Sequence, residues 1–155
     1  MSLLAVFGWF EATPIGRFGR ESKVFFPAVE VVHLLGLTLL LGAVLFVNLK
    51  LLGLTSPRRR ASEVARAARP LLWTAAAVTL SSGLLLFLTE AVKCYFNVAF
   101  WYKMTLLVAA LGFQLAVELR ITARPAELAH ARLTAVVSLG LWFGVGIAGR
   151  AIAFV

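Results

Sequence analysis

Cysteine is almost missing from this chain. Cys94 is the only one, so no intrachain disulfide can form and a Cys-x-x-Cys zinc site is excluded. Charge is scarce as well: 14% of the 155 residues are charged, while 61% are hydrophobic. A soluble domain has about a quarter charged and about half apolar residues. The apolar excess falls in long blocks, which predicts a membrane protein. There is no Ser-His-Asp arrangement and no phosphate loop, so independent catalytic activity is not expected. Basic residues outnumber acidic ones, 15 to 7, for a net charge of +8. Nucleic acid is nevertheless excluded as a partner. The positive residues sit in short connections between apolar blocks, as topology signals do, and no basic stripe with interleaved aromatics marks a soluble face.

What is present is helical in pattern. Four apolar segments, about 24–52, 70–91, 99–119 and 133–155, each hold roughly 20 or more residues and match a ~30 Å hydrocarbon core at ~1.5 Å per residue. None shows the ten-residue alternation of a barrel strand. The first ten residues, MSLLAVFGWF, lack an early Lys or Arg and no small-residue cleavage motif follows, so they do not read as a cleaved signal peptide. They predict a short interfacial helix with Trp9 at headgroup level. The fold expected is all-α: an integral membrane four-helix bundle with a short N-terminal interfacial helix, one domain over residues 1–155. Thr55–Pro70, Lys93–Lys103 and Arg120–Arg132 read as the connections, the second as a tight aromatic turn.

The charges orient this bundle. One face carries Lys50, Arg58, Arg59, Arg60, Arg66, Arg69, Arg120, Arg124 and Arg132; the other carries Arg17, Arg20, Lys23, Lys93, Lys103 and Arg150. The positive-inside rule places the first face in the cytoplasm. The expected location is a bacterial inner membrane, with both termini periplasmic.

Ionisable residues inside a span are costly and point to function. Glu30 and His33 stand three residues apart in "FPAVEVVHLLGLTLLLG", on one helix face. By depth they belong with Glu90, at the end of the second span, and Arg150, near the end of the fourth. Three chemistries suit that band. Carboxylate-bridged di-metal bundles use Glu-x-x-His on two helices plus two further carboxylates, and here the motif occurs once. A single metal ion has His33, Glu30, Glu90 and Cys94 as candidate ligands. Haem has His33 as an axial ligand, Gly36 one turn on to make room for the macrocycle, and Arg150 to pair with a propionate. The only other histidine, His130, is ~20 Å away in depth by helix rise and cannot share an iron with His33. The alternative is a buried polar network that only holds helices together.

Other features read as architecture. Gly140, Gly144, Gly146 and Gly149 line the fourth span, the first two in GxxxG spacing, and predict close packing. Ser81, Ser82 and Gly83 form a small polar notch read as packing. Trp73, Trp101, Tyr102 and Trp142 read as packing or interface residues. Asn48 and Glu118, near the cytoplasmic ends of their spans, read as snorkelling or capping groups, and Cys94 as a buried or interfacial thiol rather than a nucleophile.

The stretches "GRESKVFFPAVEVVHLLGLTLLLG", "VNLKLLGL", "TEAVKCYFNVAFWYKM" and "SLGLWFGVGIAGRAIAF" resemble a family of uncharacterised bacterial four-helix membrane proteins. The matching residues are Arg20, Glu21, Ser22, Pro27, Glu30, His33, Glu90, Tyr95, Asn97, Lys103, Met104, Gly149 and Arg150. The resemblance covers most of the chain and implies a fold but no activity. Where such relatives tend to carry Asp, this chain has Asn48; where they often carry His, it has Glu118. A looser likeness, His-x-x-Gly in a first helix, runs to copper-resistance and b-type cytochrome membrane proteins. Three functions follow as expectations. The first is a haem or metal site in the outer half of the bundle, serving electron transfer or metal handling. The second is a structural or assembly subunit, with membrane-complex partners or further copies of itself. The third is a small oligomeric transporter or channel. The lipid bilayer is a partner in all three.

Overall fold

The computed structural model describes residues 2–55, 60–123 and 130–154. Among them are seven helices and no strand: α1 Leu3–Glu11, α2 Pro14–Glu21, α3 Phe25–Leu51, α4 Ala61–Thr89, α5 Ala91–Phe96, α6 Val98–Ala123 and α7 Ala131–Ala151. Four of them, α3, α4, α6 and α7, are long and apolar enough to cross a membrane. The 27 residues of α3 reach about 40 Å at ~1.5 Å per residue. Pro27 falls in its first turn, where no N–H is needed, and the Ser22 hydroxyl accepts the Phe25 N–H at 3.2 Å.

The second long helix departs from expectation. Ala61–Pro70 was expected to lie in a connection, yet it is the beginning of α4, and Pro70 lies inside that helix. The stretch carries charges but holds four Ala, two Arg and one Glu, all strong helix formers. The Glu63 carboxylate accepts the Arg60 backbone N–H at 3.3 Å and helps to start the helix. At the other terminus α7 stops at Ala151 rather than running to 155. Its end tightens into turns, and Asn97 donates to the Ile152 carbonyl at 3.0 Å. Arg58, Arg59 and Arg124, part of the expected charge bias, lie outside the described residues, as do residues 124–129 of the third connection.

The long helices pack α3 on α4 and α6 on α7, with α3 also touching α7 and α4 touching α6. The central core is Leu40, Val44, Leu72, Ala75, Ala110, Trp142 and their neighbours. Of the glycine pair on α7, Gly144 packs on Leu106, whereas Gly140 faces open space.

Helices α1, α2 and α5 close over one end, called the capped end below. Two short N-terminal helices stand where one was expected, because Thr13 caps a new helix through the Gly16 N–H at 3.2 Å and Pro14 begins it. Phe7 is buried and meets Phe87 and Tyr95 edge-on at 5.4 and 5.3 Å. Trp9 is exposed. The expected aromatic turn is helix α5, then Asn97, then the start of α6. Asn97 joins the two, its side-chain oxygen accepting the Phe100 N–H at 3.2 Å.

Candidate functional site

His33 lies on α3, partly buried, facing α4. Its Nδ1 is 3.0 Å from the Thr79 carbonyl oxygen and 3.1 Å from the Ser82 hydroxyl. A carbonyl only accepts, so Nδ1 carries the proton and donates it to Thr79. The Ser82 hydroxyl is itself turned back to the Val78 carbonyl at 2.5 Å. In the neutral ring this leaves the lone pair on Nε2, which has no hydrogen-bond partner among the described residues. Fixing one ring nitrogen on a carbonyl is how a protein sets the tautomer of a ligating imidazole. Gly83 lies against the ring: a Cβ built there would stand 3.0 Å from His33 Cε1. Glu30 on the same helix and Lys103 from α6 are the charged groups that act on the ring.

The other expected ligands are elsewhere. Glu30 is exposed and makes no hydrogen bond among the described residues. The His33 ring is oriented by Thr79 and Ser82. Glu90 ends α4 and pairs with Lys93, 3.3 Å away and three residues on. Cys94 is partly buried in the aromatic cluster of the capped end. Burial first, and then the nearby Glu90 charge, push its thiol up to about 11, so it is a protonated group at neutral pH. Arg150 is exposed, with its guanidinium carbon 4.9 Å from the Phe154 ring centre. Gly36 gives no space for a macrocycle, since a Cβ there would stand 2.8 Å from Thr79 Oγ1 and 3.1 Å from a Val78 methyl. It is a close-packing position between α3 and α4. Among the described residues, no three His, Cys, Asp or Glu side chains stand together as a metal site.

The family's sequence pattern, described only as a family of unknown function (DUF6644), matches residues 6–155. The chain belongs to the DUF6644 family. No curated protein and no solved structure matches it. Membership therefore assigns this chain no activity, and the site has to be read from its own chemistry.

Two polar groupings escape a reading of the DUF6644 chain from its sequence. At the capped end, Arg20 reaches Glu11 at 3.1 Å and the Thr89 carbonyl at 3.3 Å, and the other Glu11 oxygen accepts the Val92 N–H at 2.7 Å. This network ties α1 and α2 down onto α4 and α5. At the opposite end, Asn48 and Glu118 do more than snorkel or cap. Asn48 is buried, and its amide donates to the Ser138 hydroxyl across the α3–α7 contact at 3.1 Å. Glu118 accepts from the Trp73 indole at 2.7 Å and pairs with Arg69 at 2.6 Å, joining α6 to α4. The one legible hint of the His33 contacts was Ser82–Gly83, at the depth of His33 on the next span.

Proposed function

We propose that this chain is a multi-pass protein of a bacterial inner membrane. Its four long helices form one bundle, with the capped end on the periplasmic side. We propose further that it holds a redox-active group through His33, in the half of the bundle nearest that end. The observation that carries this reading is the fixed ring: Nδ1–H is committed to Thr79 at 3.0 Å, and Nε2 keeps an unused lone pair. On ligand number haem suits this arrangement better than a chelated ion, although the α3–α4 seam at Gly36 leaves no room for its macrocycle. A haem iron needs a single protein ligand, whereas a metal ion held by the protein alone needs three or four. When bound, haem supplies one-electron chemistry. The protein's own contribution is to hold the ring, exclude the wrong tautomer and keep a carboxylate, Glu30, one turn away. Electron transfer is then the leading role and metal handling the lesser one.

The test is an absorption spectrum of detergent-purified protein, oxidised and reduced, with elemental analysis of the same sample. A Soret band in the wild type that is lost in His33→Ala and kept in Arg150→Ala is the expected result. A colourless, metal-free wild type, purified from cells supplied with haem and copper, would sink the proposal. A second reading then takes over, favoured by the same hydrogen bond. The His33–Thr79 contact fastens α3 to α4, so His33→Ala would lower the melting temperature and change nothing else, as expected of a structural or assembly subunit.

A further inference from the structure

Lys103 has a charge that no other group answers among the described residues. It lies five residues into α6 from Val98, about 7–8 Å by helix rise, and is partly buried. Its ammonium makes no hydrogen bond and no ion pair among the described residues. The acids at this end are spent or remote. Glu11 is taken by Arg20 and the Val92 N–H, and Glu90 by Lys93. Neither Glu21 nor Glu30 pairs with Lys103 among the described residues, and the nearby Cys94 is a neutral thiol. On the α7 side stands Gly149, whose missing side chain leaves backbone facing the lysine, 3.7 Å from Nζ to where a Cβ would be. Trp101 and Tyr102, exposed beside it at 41% and 66%, are the residues that favour the depth of lipid headgroups.

A partly desolvated cation without a counter-ion is unfavourable unless an anion reaches it from outside. At headgroup depth the abundant anion is the phosphate of a phospholipid, and lysine is a compact point charge well suited to phosphate. We propose that Lys103, in the gap left by the missing side chain of Gly149, forms a binding site for the phosphate of an anionic phospholipid, held at the α6–α7 seam. The inference rests on the membrane-spanning part of the reading above, and not on His33.

The experiment is native mass spectrometry of the full chain in detergent with added phosphatidylglycerol, phosphatidylcholine or inorganic phosphate. Lys103→Gln should lower the fraction carrying phosphatidylglycerol about fivefold. Lys103→Arg should retain it, and Arg150→Gln should stay near wild type. Inorganic phosphate should bind far more weakly than the lipid. An equal loss in Arg150→Gln would reduce the effect to general surface charge and overturn the site; so would unchanged binding in Lys103→Gln, or inorganic phosphate binding as well as the lipid. If Lys103→Gln does not fold, the wild type still decides. A photoactivatable phosphatidylglycerol should label the peptides around Lys103 and Gly149, and labelling spread evenly over the capped end would overturn the proposal. Failure of the membrane-spanning reading would look different, as a chain that stays in solution without detergent.

Discussion

The two ends of the helix packing handle buried polarity in different ways. At the end away from the cap, Asn48 meets Ser138, and Glu118 meets both Trp73 and Arg69. These groups answer one another across helix contacts, as polar residues that act as glue do. In the capped half the pairing is incomplete. His33 commits one nitrogen to α4 and leaves the other unused, and Lys103 has no partner among the described residues. Both ends are polar in sequence, yet among the described residues it is the capped half that leaves a fixed imidazole nitrogen and a partly buried ammonium unmatched. Counting which donors and acceptors are already satisfied separates a structural contact from a candidate site more sharply than depth does.

Substitutions can probe this contrast. The largest effect is expected where α2 docks on α4. A Cβ at Gly16 would stand 2.6 Å from the Glu11 and Leu88 carbonyl oxygens, both backbone, so Gly16→Ala should cost about 2–3 kcal/mol. It should show as a lower melting temperature and protease cleavage before α3, with Trp73 emission at the far end unmoved. Wild-type melting would mean the cap is not docked as described. Next comes Cys94. Its thiol, at about 11 against an ordinary 9.0, should hold about 100-fold less thiolate near pH 8 than an unperturbed one. Because the raised value favours the protonated form, alkylation by iodoacetamide should still be accelerating steeply above pH 10. A rate that levels off by about pH 10 would show the thiol is not shielded.

Smaller effects test the pairing itself. Asn48→Ala leaves Ser138 without its interhelical partner and should cost about 1 kcal/mol in detergent unfolding, within the range measured for such bonds. A variant as stable as wild type would remove the distinction between the two ends. Thr79→Val is the counterpart in the capped half. The Thr79 hydroxyl is buried with no partner, so removing it should be neutral or stabilise by up to about 1 kcal/mol. The carbonyl that orients His33 is kept. A clear loss of stability would mean that the hydroxyl is engaged by a water or ligand.

Much of the architecture was legible beforehand, and the reasons for the misses are specific. The four long helices follow from apolar length. The early start of α4 was hidden because Ala61–Arg69 carries charges, which hydropathy reads as a connection, although the same residues favour helix. His33 was found because an imidazole in a span is conspicuous. Its partners were not, because Thr79 and Ser82 lie 46 and 49 residues away, and nothing local distinguishes Ser82 from Ser81. In the fold Ser81 is exposed and bonds its own helix at Ala77, while Ser82 is buried beside the ring. Glu90 and Arg150 were grouped with His33 on depth alone, but Glu90 found a nearer cation in Lys93 and Arg150 turned to Phe154.

The sequence by itself determined that this is an all-helical chain with four segments able to cross a membrane, and roughly how far along each one its ionisable residues sit. Apolar length and helix rise are enough for that. Only the tertiary structure decided which of those residues face one another. Depth is written along the helix axis, but a helix apolar on nearly every side carries little record of which way it turns. That rotation was settled by close packing at positions such as Gly36, Gly83 and Gly144, and it brought His33 to Thr79 and Ser82 and left Lys103 without a partner among the described residues.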